Sequence, residues 1–153
     1  RLKFCSSRRY GMSSNARKFA RLAPDQVPWA LVDFGGGGYT SMAASSPLPF
    51  DNIIAQNGSH YDTTNYRFTC PVDGIYSMAV SLLSQLDSNF GVDFRKNGTV
   101  ISKNYVQTRS PRGTLEFEFA ANDYIDIVTS NTLGQYQGTD TARYAWAHFR
   151  LVG

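Results

Sequence analysis

Apolar and polar side chains alternate along most of the chain after residue 27, which is the period of a β-strand with one buried face. The clearest run is 114–119, where Leu115, Phe117 and Phe119 share one side and two glutamates occupy the other. The same period recurs in residues 90–94 and 125–127, and in two sets near the C-terminus: Tyr144, Trp146 and His148 on one face, and Ala145, Ala147, Phe149 and Leu151 on the other. The pattern predicts an all-β fold.

Turn-forming residues separate these runs. The dipeptides Asn57-Gly58 and Asn97-Gly98 each predict a hairpin, because both residue types tolerate a positive φ. Further turn signals stand at 71–74, 110–113 and 122–123. The intervals between turns give about eight to ten short strands, a spacing typical of a sandwich or jelly roll. Aromatic residues make up 14% of the chain and charged residues 18%, below the usual value of roughly 25%, which favours half-buried strands over disorder.

Charge divides the chain into two segments. Residues 1–26 carry seven basic side chains and one acidic one, a net charge of +6, whereas residues 27–153 carry a net charge of −3. We therefore expect a basic N-terminal arm, 1–26, followed by one domain, 27–153. The arm residues expected to anchor it are Arg8, Arg9, Arg17, Lys18, Phe19 and Arg21. Docking on neighbouring protein subunits is the favoured interpretation, ahead of a solvated tail. Nucleic acid is the least favoured partner, since the arm has few aromatics to stack on bases.

The chemistry of a catalytic or metal site is hard to find in this sequence. The only two histidines, His60 and His148, lack cysteines or carboxylates at zinc-site spacing, and no Gly-x-Ser-x-Gly elbow occurs. The run 35–38 of four glycines lacks the Lys-Ser/Thr of a phosphate loop and predicts a flexible loop or a close backbone approach. No cofactor is expected. Calcium is a weak candidate, because no loop signature gathers the aspartates that could supply oxygens: Asp87, Asp93, Asp123, Asp126 and Asp140.

Two further features concern membrane spans and cysteines. No apolar run approaches the ~20 residues that span a bilayer, so no membrane span is expected. Cys5 and Cys70 do not form a disulfide framework, and Cys70, inside a strand-like run, is interpreted as a free buried thiol.

Motifs along the second segment resemble those of a known family. They are Pro49-Phe50-Asp51, Asn57-Gly58, Tyr61-Asp62, Phe68-Thr69-Cys70-Pro71-Val72-Asp73-Gly74-Ile75-Tyr76, Phe94-Arg95-Lys96-Asn97-Gly98, Asn122-Asp123-Tyr124-Ile125 and Trp146-Ala147-His148-Phe149. Together, over residues 27–153, they resemble the globular head of complement component one-q, a family related in fold to tumour necrosis factor. Asn65, Asn122 and His148 stand where that family usually has glycine. Asparagine tolerates the left-handed region, so Asn65 and Asn122 are expected to keep the family's backbone.

The resemblance implies a ten-stranded jelly roll that forms a homotrimer and is not an enzyme. Tyr76, Met78 and Phe117 are then candidates for the core or the threefold axis. The residues that carry the fold signature are Phe50, Asn57, Tyr61, Phe68, Pro71, Gly74, Tyr76, Asn97, Asp123 and Phe149.

Two functions follow from this set of expectations. The first is a structural module that decorates or caps a larger particle, such as a virion, and is anchored by the basic arm. The alternative is a secreted recognition protein that binds a glycan, an anionic surface or a receptor through its loops, with Tyr105, Arg112 and Tyr136 as contacts. Either function places the chain outside the cell or on a particle surface.

Overall fold

A computed structural model describes residues 22–84, 90–106, 110–129, 133–137 and 144–153. These residues contain one short 3-10 helix, Pro24–Gln26, and twelve strands. The strands are β1 Trp29–Asp33, β2 Tyr39–Ala43, β3 Asn52–Asn57, β4 Tyr61–Asp62, β5 Arg67–Thr69, β6 Gly74–Ser81, β7 Phe90–Lys96, β8 Thr99–Val106, β9 Arg112–Phe119, β10 Tyr124–Thr129, β11 Leu133–Gln137 and β12 Trp146–Leu151.

Ten of the strands form a two-layer sandwich. The first sheet has the order β3-β1-β12-β6-β9 and the second has the order β4-β5-β10-β7-β8. Neighbouring strands are antiparallel throughout. The all-β prediction is confirmed. The sequence did not predict the separate two-stranded sheet of β2 and β11.

Aromatic rings from both sheets fill the space between the layers. Phe68 is fully buried and stacks on Phe149 with 5.5 Å between ring centroids, and the Tyr61 ring also stacks on Phe149, at 5.8 Å. Tyr76 joins this group from β6, 6.0 Å from Phe68, and its hydroxyl donates to the Val72 carbonyl at 2.9 Å. Burial of each such side chain contributes about 1.5–3 kcal/mol. The aromatic cluster is therefore the main link between the two sheets.

The alternation predicted for the last strand is confirmed. Ala147, Phe149 and Leu151 are buried in the sandwich, whereas Trp146 and His148 are only half-buried on the opposite face. In β9 the prediction holds only in part. Phe119 is buried, but Phe117 is 39% exposed, because β9 is the edge strand of its sheet and, among the described residues, no further strand lies beyond it to cover the ring. Of the three candidates for the core or the threefold axis, Tyr76 and Met78 are core residues, whereas Phe117 lies outside the core of the single copy and its place at the axis stays a prediction.

The two Asn-Gly dipeptides behave differently. Asn97 and Gly98 have φ of 51° and 79° and join β7 to β8 in a tight hairpin, as predicted. Asn57-Gly58 is not a hairpin: β3 belongs to the first sheet and β4 to the second, so this turn carries the chain between layers. The Asn57 amide instead donates to the carbonyls of Asp25 and Val27, at 2.6 and 2.8 Å, and ties the chain entering β1 to β3.

Other sequence expectations also meet a clear outcome. Asn122 has φ of 71°, as expected from its place in a glycine position, but the left-handed residue beside Asn65 is Tyr66, with φ of 54°. Cys70 is a free, fully buried cysteine. A Cβ on Gly35 would lie 3.1 Å from the Asp51 carboxylate, which accepts a hydrogen bond from the Gly35 amide, so this glycine permits a close backbone approach.

A polar knot closes one end of the sandwich. Asp123 accepts hydrogen bonds from the Asn97 side chain at 2.6 Å and the Ala120 amide at 2.8 Å, and pairs with the Lys96 ammonium at 2.9 Å. The Asn97 side chain in turn accepts from the Tyr124 amide at 2.9 Å. Two signature residues that are distant in sequence thus hold the β7–β8 hairpin against the start of β10.

Strand registers define two ends of the molecule. The base is the end at which Trp29 pairs with Arg150 and Arg150 with Ser77, near Gly74 at the start of β6. The distal end is the opposite one, where Asp33 pairs with Trp146, Trp146 with Ser81, and Ser81 with Arg112. The knot lies at the base, since Phe119 pairs with Gly74 there.

We predict that Asp123→Asn lowers the free energy of unfolding by about 1–3 kcal/mol, because the added NH₂ faces other donors and the Lys96 ammonium loses its counter-charge. Burial raises the pKa of Asp123, but hydrogen bonds from Asn97, Lys96 and Ala120 outweigh it and lower the pKa. The stabilisation by the carboxylate is therefore present above the unfolded pKa of about 4 and lost as the pH falls further.

Thermal unfolding at pH 7 and pH 3 measures both effects, with Asp25→Asn, an exposed aspartate outside the knot, as the control. The Asp123 variant should lose less stability between the two pH values than the wild type. Equal melting temperatures for the two variants at pH 7 would contradict this role of Asp123.

Candidate functional site

One long side of the sandwich is open. β8 and β9 are the edge strands of their sheets and lie side by side there. Phe117 on β9 is exposed at this side, and Leu115 on β9 and Ile101 on β8 are partly buried and pack against the core. We call Phe117 with its exposed neighbours Glu116 and Glu118 the β9 strip. An aromatic ring held in place but left open to solvent on an unpaired edge is a feature of contact surfaces.

Lys96 fixes the position of this ring. Its ammonium lies 5.8 Å from the centroid of Phe117 and 5.1 Å from that of Phe119, and it donates to the Glu118 carbonyl at 3.1 Å. The rings of Phe117 and Phe119 meet edge to face at 5.7 Å. An open cleft of about 420 Å³ lies between this group and Asp73. The strip is therefore rigid before any partner arrives.

The face of the first sheet that points away from the second sheet forms another unusual surface, here called the outer face. Leu31 on β1, His148 on β12 and Ala79 on β6 lie in one row across it, and all three are half-buried. Ser77, Ala79 and Ser81 are the residues that β6 places on this face. β6 contributes only small side chains to this face, whereas β1 and β12 contribute larger ones, among them Trp29, Leu31 and His148.

A groove of about 290 Å³ marks the base end of the outer face. It is lined by Val27, Trp29, His148 and Arg150. The Trp29 and His148 rings lie 6.4 Å apart, tilted by 52°. Burial and the nearby Arg150 charge both lower the pKa of His148 below its ordinary value of 6.5. The Arg150 guanidinium and the Trp29 N–H donate hydrogen bonds, a neutral His148 imidazole donates one and accepts one, and Val27 adds apolar surface, so the groove suits an acidic or apolar partner group.

The three residues predicted as loop contacts share one end of the sandwich. Arg112 is exposed at the distal start of β9. Tyr105 pairs with Gly91 near the distal ends of β7 and β8, and Tyr136 lies on β11 opposite Thr40. The side chains of the two tyrosines lie outside the described set. Tyr39 and Tyr144, which the sequence did not single out, are 43% and 40% exposed in the same region.

Several residues that the sequence offered as site candidates are instead buried or take part in contacts within the fold. Asp126 accepts two hydrogen bonds from Arg95, at 2.8 and 2.5 Å, and Asp123 belongs to the knot. Asp93 is buried on β7, and burial raises its pKa. Burial likewise raises the pKa of the Cys70 thiol to about 12. Among the described residues, no group of three His, Cys, Asp or Glu side chains is placed to hold a metal ion.

Some predictions lie beyond the described ranges. Arg8, Arg9, Arg17, Lys18, Phe19 and Arg21 fall outside them, as do Asp87 and Asp140. The division into an arm and a domain therefore stays a prediction. Within the described ranges, no helix is both long enough and apolar enough to cross a lipid bilayer.

The groove and the β9 strip were missed by sequence reasoning. The alternation in the last strand placed His148 and Trp146 on one face, and that was the only signal of the outer face in the sequence. Trp29 comes beside them only through the pairing of β1 with β12.

Comparison with known proteins gives sequence relatives and structural neighbours. The rat complement C1q tumor necrosis factor-related protein 5 is 39% identical over 59 residues, which is 39% of this chain and 24% of that protein. The mouse collagen alpha-1(X) chain is 28% identical over 114 residues, 70% of this chain and 16% of that one. This chain thus matches a quarter or less of the length of these relatives.

The structural neighbours share the fold at low identity. Eiger TNF from S. frugiperda superimposes with a TM-score of 0.68 at 9% identity, covering 83% of this chain and 93% of that one. The globular domain of zebrafish complement 1qA gives 0.64 at 13% identity, covering 83% and 98%. The jelly-roll prediction is confirmed by these likenesses.

A family model settles the relationship suggested by the motifs. The model of the C1q domain matches residues 37–122, more than half of the chain. The matched range includes the β9 strip and three residues of the knot, Lys96, Asn97 and Ala120, and ends one residue before Asp123. The chain belongs to the C1q domain family.

Proposed function

We propose that this chain is a non-catalytic binding module that works as a homotrimer, in which the β9 strip of one copy packs on the outer face of the next. The observation that carries the proposal is the exposed Phe117 ring, held rigidly at an open edge. A rigid ring of this kind is typical of residues that become buried at interfaces.

The positions of the two surfaces favour a closed ring. Within one copy, the β9 strip and the groove at β1 and β12 are separated by β6. A strip that packs on the same copy's groove is therefore excluded, and contact requires a second copy. Because two different surfaces meet, the contact is heterologous and has to close into a ring or continue as a filament. The family resemblance favours closure after three copies.

Charge supports the same pairing. Glu116 and Glu118 are exposed on either side of Phe117, and the base end of the outer face carries Arg150, which is also exposed. The other basic residues near the base have partners within the chain: Lys96 pairs with Asp123, and Arg67 lies 4.8 Å from the Tyr124 ring. Opposite charges on the two surfaces stabilise the contact and fix its direction.

We predict that Phe117→Ser converts the trimer to single copies. Loss of a central aromatic contact costs about 2–4 kcal/mol per interface, a weakening of roughly thirty- to a thousandfold in each contact. Sedimentation velocity at several concentrations measures the effect. Tyr39→Ser is the matched control, since Tyr39 is as exposed as Phe117 but lies toward the distal end. An unchanged trimer in the Phe117 variant would exclude the strip from the contact.

We further propose that the trimer is part of a larger particle and is anchored there by the N-terminal arm. The charge of the arm supports this proposal. An arm with net charge +6 before a domain of −3 can bind acidic surfaces of neighbouring subunits. Leu22 packs against the core and the Asp25 carbonyl accepts from Asn57, so residues 22–26 belong physically with the domain. A truncation that tests the arm should therefore end at residue 21.

Deletion of residues 1–21 is expected to leave a folded trimer that no longer enters large assemblies in its native source. Light scattering measures the trimer, and gradient sedimentation of tagged protein measures incorporation. A second variant with Arg8, Arg9, Arg17, Lys18 and Arg21 changed to Gln separates charge from length. Full incorporation of both variants would reject an anchoring arm.

Recognition of an external ligand is a second candidate, and the distal end favours it. Tyr39, Tyr144 and Arg112 are all exposed there, away from the β9 strip's ring and the groove at the base. Aromatic faces beside a guanidinium suit sugars that carry carboxylate or sulfate groups.

For this candidate, Arg112→Ala combined with Tyr144→Ala should reduce binding on an array of neutral, sialylated and sulfated glycans at least tenfold without dissociating the trimer. Thr99→Ala, exposed at the base, serves as the control. Absence of wild-type binding to every glycan on the array would count against a sugar ligand.

A further inference from the structure

We propose that acid releases the contact between copies, and that His148 is the group whose protonation does so. The inference deepens the proposed trimer and rests on it. His148 stands where the resemblance places glycine, so this property belongs to this chain's own sequence.

The location of His148 makes it responsive to association. It lies in the middle row of the outer face, between Leu31 on β1 and Ala79 on β6, and the Trp29 ring is 6.4 Å away. These neighbours already leave the imidazole half-buried in one copy. A second copy on this face removes the remaining water from the ring. The imidazolium then loses its hydration and has an apolar surrounding in place of water.

The charges around His148 also oppose its protonation. On its own strand, Arg150 lies two residues away and points to the same face. On β6 the facing side chains are Ser77, Ala79 and Ser81, none of which titrates in this range. On β1 the titratable group is Asp33, whose Oδ1 accepts from the Asn52 amide at 2.6 Å.

Across β6, the strand β9 adds Arg112 and Glu116 to this face, two strands away from His148. In the proposed contact the glutamates of the strip face Arg150 at the base end. In that contact the Phe117 ring, which is the apolar part of the strip, covers the imidazole.

The sign of the pH effect follows from these surroundings. Burial and Arg150 lower the pKa of His148 in the single copy, and association adds burial. The dissociated chain therefore binds more protons, and association weakens as the pH falls through the pKa of the dissociated chain. Each unit of pH below that value costs each contact up to about a factor of ten, until the pKa of the associated form is reached.

The chain contains its own control, since His60 is the only other histidine. Burial lowers the pKa of His60 as well, but this residue lies in the turn between β3 and β4 and packs against Phe68, with 6.1 Å between the rings. A general effect of histidine protonation would act through both residues, whereas release of the outer face acts through His148 alone.

The experiment is sedimentation velocity of the full chain at pH 7.5 and pH 5.5, across a concentration series. We expect the wild type to dissociate at pH 5.5 with an association constant per contact at least tenfold weaker. His148→Gln keeps a similar polar shape without a titrating group and should associate equally at both pH values. His60→Gln should retain the wild-type pH dependence.

Other outcomes overturn the inference in distinguishable ways. A wild type that is trimeric and equally stable at both pH values overturns the acid release alone, and so does a His148→Gln variant that still dissociates in acid. A wild type that is a single copy at pH 7.5 overturns the proposed trimer, and the acid release with it. NMR titration of the His148 ring in associated wild type gives a second measurement, and a pKa above 6.5 there would contradict the inference even if the variant failed to fold.

Discussion

The structure depends on the burial of aromatic rings between its two sheets. Phe68 stacks on Phe149 and approaches Tyr76, so one residue of the second sheet contacts two strands of the first. The knot around Asp123 and the hairpin at Asn97 hold the strands at the base in register with the cluster. A sandwich sealed in this way is closed in the middle and open at its edges. The exposed Phe117 is a direct consequence of that geometry.

How much of the fold could be predicted depended on whether local physics decided the outcome. The faces of β12 follow from a strict period of two in a central strand, where neighbours on both sides enforce burial. The Asn97-Gly98 hairpin follows from backbone preferences of two residues. Asn57-Gly58 has the same preferences but joins strands of different sheets, because pairing partners are chosen by long-range burial. Likewise, the period gave the side of Phe117 but not its position on an edge strand.

The candidate site divides along the same line. Tyr105, Arg112 and Tyr136 were predicted as contacts on loops, whereas the structure places all three on strands. The outer face could not be found in this way. Trp29 and His148 stand near opposite ends of the chain, and only the pairing of β1 with β12 brings them together. A surface whose residues come together only through the order of strands in a sheet leaves no pattern in any one stretch of sequence. Its chemistry can be described once the strand order is known.

A titrating side chain on a surface that becomes covered necessarily couples association to proton concentration. The only freedom lies in the sign, which the surroundings decide. A carboxylate facing the imidazole would strengthen association in acid, whereas apolar neighbours and a guanidinium weaken it. His148 has Leu31, Ala79 and Trp29 around it and Arg150 on the same strand. A glycine at this position would contribute no titrating group to the face. The imidazole therefore makes association through this face depend on pH, which a contact without a titrating group would not do.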